Sequence, residues 1–154
     1  MALAAALPGH ARAQERWLLS ADAPAAFVVS QPQQRWFSSG AVPGVGVYRS
    51  LGPALLLGAR LRGGVLGEGA GAGDPTLMDK GTGGLASLSA AVRLRPLPGS
   101  AGRAAGPWLE LAAGGALTGR DLRPAAELGV GWGLMVGRVA LGPSLRYLHV
   151  VQPD

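Results

Sequence analysis

Three acids and five arginines stand at the inward parity of their candidate strands and are the strongest candidates for chemistry: Asp22, Glu110 and Glu127 against Arg60, Arg62, Arg93, Arg95 and Arg146. A guanidinium does not shed its proton, so arginines gathered in an enclosed interior need carboxylate partners. The chemistry open to such a set is ion pairing. It serves either as a network that satisfies buried charge or as gated pairs that block ions until they rearrange. Other candidates are weaker. Ser144 and His149 stand five positions apart, which puts them on opposite sides of an extended segment, whereas a serine–histidine pair must meet within hydrogen-bond reach. No Gly-x-Ser-x-Gly elbow occurs. Gly129-Val130-Gly131-Trp132-Gly133 lacks the spacing of a dinucleotide loop, and close packing in a narrow interior is its expected role. Lys80-Gly81-Thr82 lacks the upstream glycine of a phosphate loop, and Glu68, Asp74 and Asp79 match no EF-hand. Without cysteine, and with only His10 and His149, there is no zinc spacing. We expect no catalytic, cofactor-binding or metal site, and no enzyme.

The elements that must position the charges are strands. From Ala54 to Val65, the odd positions Leu55, Leu57, Ala59, Leu61, Gly63 and Val65 carry nothing polar, while Arg60 and Arg62 fall on the even ones. Successive side chains of a strand point to opposite faces, so this is a wall with a greasy side and a charged side. The pattern returns. Ser87, Ser89, Arg93 and Arg95 oppose Leu88, Val92 and Leu94; Glu110 opposes Leu109, Leu111 and Leu117; Glu127 opposes Leu128, Val130, Trp132 and Leu134. Turn residues divide the chain into seven expected strands, 16–28, 41–50, 54–66, 84–95, 108–117, 124–137 and 139–151. Most match the roughly 9 to 11 residues of a tilted membrane strand. Links 30–40 and 67–83 are long and polar or glycine-rich, whereas Leu51-Gly52-Pro53 and Gly137-Arg138 are tight, as in a membrane barrel with long outer loops. Trp17, Trp132 and Tyr147 have outward parity and suit an interfacial belt; Tyr48 and Trp108 do not. A serine in place of Gly64, on the polar side, is expected to be milder than an arginine in place of Leu61 on the apolar side.

Composition narrows the class. The 154 residues suit one domain, and although 48% are hydrophobic, no run reaches the roughly 18 apolar residues of a membrane helix. The 26 glycines and 12 prolines oppose a helix bundle. A net charge of +5 would suggest nucleic acid, but thirteen arginines and one lysine are scattered singly, so no nucleic-acid partner is expected. Residues 1–13 resemble a partial secretory signal peptide, with Ala11-Arg12-Ala13 before Gln14 in the small-x-small form of a cleavage site.

Gly44-Val45-Gly46-Val47-Tyr48-Arg49-Ser50-Leu51, Gly58-Ala59-Arg60-Leu61-Arg62, Gly81-Thr82-Gly83-Gly84-Leu85, Arg93-Leu94-Arg95-Pro96-Leu97 and Gly142-Pro143 followed by 146–154 together resemble the N-terminal barrel of OmpA-like bacterial outer-membrane proteins. The resemblance implies an all-β, antiparallel up-and-down membrane barrel of the eight-stranded type, in many members followed by a periplasmic domain that binds peptidoglycan. Gln152-Pro153-Asp154 is reached before an eighth strand can be read, so domain 14–154 is expected to be a barrel incomplete at its C-terminal side. The expected function is a structural anchor in the bacterial outer membrane, with membrane lipids as partners and peptidoglycan reached only through a domain beyond this chain. A narrow gated pore is the first alternative. A soluble secreted barrel for a small apolar ligand is the second, although such a barrel should be apolar inside.

Overall fold

Residues that alternate leucine or valine with arginine, serine or glutamate settle into extended chain, because only a period of two keeps both kinds of side chain apart. In the computed structural model, which describes residues 17–29, 37–68, 82–96, 105–136 and 139–151, they do so throughout. The strands are β1 (Trp17–Asp22), β2 (Ala25–Ala26), β3 (Phe37–Ala41), β4 (Gly44–Ser50), β5 (Leu55–Glu68), β6 (Gly83–Leu94), β7 (Gly106–Thr118), β8 (Asp121–Val136), β9 (Val139–Leu141) and β10 (Ser144–Val150). All pairings are antiparallel, in the order β1-β4-β5-β6-β7-β8-β10, with β2 on β3, β3 on β5 and β9 on β8. No helix among the described residues is long and apolar enough to cross a membrane.

The ten strands occupy seven lanes, because three lanes are interrupted by a proline without losing register. Asp22↔Gly44 continues as Ala25↔Ala41 past Pro24, Ala41↔Val65 as Gly44↔Arg62 past Pro43, and Leu141↔Leu134 as Ser144↔Gly131 past Pro143. Proline lacks the donor N–H but keeps its carbonyl: Gly63 N–H donates to Pro43 at 3.1 Å and Trp132 N–H to Pro143 at 3.0 Å. The seven lanes coincide with the seven expected strands, with two differences at their ends. Phe37–Gly40, expected in a loop, is strand, with a register shift between Phe37 and Gly40. The link expected at 118–123 contracts to Gly119-Arg120, where Gly119 takes φ +66°, the positive value a two-residue hairpin requires at its first loop position.

The sheet is not closed into a barrel. Among the described residues β1 and β10 are the two edges of one open sheet and do not pair with each other. The sheet is nevertheless strongly coiled. Ladder partners carry Ser20 through Gly46, Arg60, Ser89, Gly114 and Ala125 to Val150, yet Asp22, two residues beyond Ser20, ion-pairs with Arg146, four residues before Val150. Such an offset between first and last lanes is the stagger that tilted strands acquire as a sheet curls on itself. The signal-peptide segment 1–13, His10, Asp74, Asp79, Lys80 and the Gly137-Arg138 turn lie outside the described residues.

Candidate functional site

Curling gives the sheet a concave face onto which every lane projects alternate side chains. Arg60, Arg62, Arg93, Arg95, Glu110 and Glu127 are buried there, alongside Tyr48, Ser87, Ser89, Ala112 and Ala116. On the convex face Leu57, Leu61, Leu88, Leu111 and Val130 lie open, Leu61 at 53% and Leu88 at 62% exposure against 2% for Arg60 and 1% for Glu110. The usual order of a folded domain is inverted.

Seven of the eight sequence-selected charges join one network. Asp22 on β1 receives Arg60, Arg62 (Nη2 to Oδ2, 3.2 Å) and Arg146 (Nε to Oδ2, 2.8 Å). Glu110 on β7 receives Arg93 (Nη2 to Oε2, 2.6 Å), Arg146 (Nη1 to Oε1, 2.7 Å) and, at 3.5 Å, Arg60. Glu127 on β8 receives Arg62 (Nε to Oε2, 2.9 Å) and Arg146 (Nη1 to Oε1, 2.6 Å), with Arg60 at 3.6 Å. These charge-assisted contacts, made from strands far apart in sequence, compensate guanidiniums that burial would otherwise penalise heavily. Arg62 also donates Nη1 to the Val42 carbonyl at 2.8 Å. The eighth residue, Arg95, donates Nη2 to the carbonyl of Ala105.

Sequence parity missed two members, Tyr48 and Trp108, which it set aside as exceptions to an aromatic belt. The Tyr48 hydroxyl donates to Glu110 Oε2 at 2.7 Å and accepts from Arg60 Nη1 at 3.2 Å and Arg93 Nη2 at 3.3 Å. The Arg93 guanidinium lies 4.4 Å from the centre of the Tyr48 ring and 4.5 Å from that of Trp108, and Arg146 lies 4.9 Å from Trp108. Cation–π attraction of this kind strengthens as water is removed. The available signal was glycine. Tyr48 pairs across the ladder with Gly58 and Trp108 with Gly131, and a Cβ on Gly129 would stand 3.3 Å from the Trp108 ring. The Gly129-Val130-Gly131 run therefore makes room for an indole, as aromatic rings over bare strand glycines do elsewhere.

Comparison with protein-family models, curated proteins and solved structures returned no match.

Residues weighed for catalysis stay apart. His149 is exposed on the convex side, stacked on Tyr147 at 6.3 Å between ring centres, while Ser144 has the opposite parity on the same strand. Among the described residues no group of His, Cys, Asp or Glu is placed to hold a metal ion. What the arrangement can do is fix charge in place. Arg146 Nη1 is shared between Glu110 and Glu127, so β7, β8 and β10 are tied through one guanidinium.

Proposed function

We propose that this chain forms the wall of a non-enzymatic bacterial outer-membrane β-barrel and works as a structural anchor with a charge-paired interior. The observation that carries the reading is the inversion of its two faces. A convex surface of exposed Leu57, Leu61, Leu88, Val92, Leu111 and Val130 spreads over adjacent lanes, larger than single scattered apolar residues account for. Lipid is the solvent that such a surface suits, and strands that satisfy their own backbone are one of the two ways to cross it. A barrel for an apolar ligand would need the opposite order. The filled concave side, with Arg93 held between two rings, favours an anchor over the narrow gated pore.

Two tryptophans on opposite faces supply the test. Trp132 is half exposed on the convex face and Trp108 lies over Gly131 on the concave one. In variants that keep only one tryptophan, lipids brominated on their acyl chains should quench Trp132 strongly and Trp108 weakly. Equal quenching, or protein left in the aqueous phase by vesicles, overturns the anchor. Planar-bilayer recordings separate it from the pore, since a filled interior should stay silent.

A further inference from the structure

Inside their terminal residues, the described strands turn one charged side chain outward, that of Arg49 on β4. It lies exposed on the convex face among exposed Val47, Leu51 and Leu57, the last its ladder partner on β5. The arginines of the concave face meet carboxylates, and Arg123 meets Asp121. Arg49 makes no ion pair or side-chain hydrogen bond among the described residues. A guanidinium keeps its charge even beside hydrocarbon, so its counter-ion has to come from outside this sheet.

Its depth narrows the source. Val45 pairs with Leu61 at mid-strand, and Arg49 stands four residues further toward the turn at Leu51–Ala54. That is about 13 Å at the rise of a strand, roughly half of an apolar band about 25 Å tall, where an outward cation costs far less than at the middle. Trp17 lies directly across the ladder from Arg49 and is exposed on the same face. Trp132 marks the same end, since it pairs with Pro107 near the start of β7, and β7 runs in the same sense as β5, whose start adjoins the turn. Indole rings settle at headgroup depth, and an arginine beside them can lay its stem on apolar surface while two parallel N–H donors hold phosphate oxygens.

We infer that Arg49 and Trp17 form a binding site for the phosphate of an anionic lipid, whose acyl chains lie along Leu57 and its apolar neighbours. The inference rests on the anchor reading and names the class of lipid which that reading leaves open. A single lipid supplies both halves of what the site lacks, an anion for the guanidinium and hydrocarbon for the leucines beside it. A free phosphate supplies only the first.

The test weighs lipid retained by the full chain in detergent micelles, using native mass spectrometry after equal exposure to phosphatidylglycerol and phosphatidylcholine. Phosphatidylglycerol should be retained about fivefold more, the gain of one basic residue near anionic headgroups. Arg49→Gln should erase the preference. Arg120→Gln, which removes the same charge from the exposed Gly119-Arg120 hairpin, should leave it intact. A variant that keeps only Trp17 locates the lipid: in phosphatidylcholine vesicles, a small share of phosphatidylglycerol brominated on its acyl chains should quench it more than the same share of brominated phosphatidylcholine. Equal retention of the two lipids overturns the site, as does an equal loss in both arginine variants or equal quenching of Trp17. So does inorganic phosphate that displaces phosphatidylglycerol where chloride of the same ionic strength does not, because the ligand would then be a free anion. Trp132 in brominated phosphatidylcholine alone keeps the two readings apart. If it is quenched while no headgroup is preferred, the anchor stands and the site falls; if it is not quenched, both fall.

Discussion

Glu110 and Glu127 differ in how many partners each would abandon. Removing Glu127 leaves Arg62 Nε and one contact of Arg146 without an acceptor, whereas removing Glu110 releases Arg93, Arg146 and the Tyr48 hydroxyl together. A stranded buried cation costs about 3 to 5 kcal/mol when the site is dry. Glu127→Ala should lower unfolding stability in lipid or detergent by about that amount, and Glu110→Ala by more. Urea titration followed by tryptophan emission measures both. The double variant Glu127→Ala with Arg62→Ala should recover part of the loss, since the second change removes the charge that the first one strands. That these residues face inward was legible in their spacing. Which acid would meet which arginine was not, because the Asp22–Arg146 contact joins the first lane to the last and depends on the coil of the sheet, which no local pattern encodes. Gly64 teaches the same limit. Its parity promised room for a serine, but a Cβ there would stand 2.6 Å from the Val42 Cα, so adjacent backbones have closed over it. Gly64→Ser is a disruptive change.

At the scale of the strand, one position in two decides the environment. Leu61 on β5 pairs with Val45 on β4 and Leu88 on β6, and all three are exposed on the convex face. Arginine at the middle of such a strand costs about 2 to 4 kcal/mol if the face meets hydrocarbon. We expect Leu61→Arg to show that loss when unfolding is followed in bilayers, and Ser89→Ala, on the buried face of β6, to cost about 1 kcal/mol at most. A Leu61→Arg cost below that of Ser89→Ala would mean that the convex face meets water. Period-two alternation made all seven lanes readable, and it survived even where proline removed a ladder donor. Strand ends were less readable. Phe37 was assigned to a loop by the polar residues around it, yet it joins β3 because it pairs across to Glu68 on the far end of β5. Serine-rich sequence says turn only until a long neighbouring strand offers it a ladder.

For the molecule as a whole, the described strands form an open coiled sheet that is not closed into a barrel, since closure depends on what lies between β1 and β10 and no single strand carries that information. The number of lanes has a further consequence. Trp17 starts its lane beside Arg49, next to the turn at Leu51–Ala54, whereas Val151 ends the last lane against Pro124, next to the Gly119-Arg120 hairpin. Seven lanes thus make the described sheet a vector. In a bilayer, a passenger joined ahead of Trp17 and one joined behind Val151 would be delivered to opposite compartments. A protease added outside sealed vesicles should trim one of two such tags and spare the other, and the spared tag should yield only when the vesicles are opened. An even number of crossings would trim both or neither, so this one digestion tells an odd number of traversing strands from an even one.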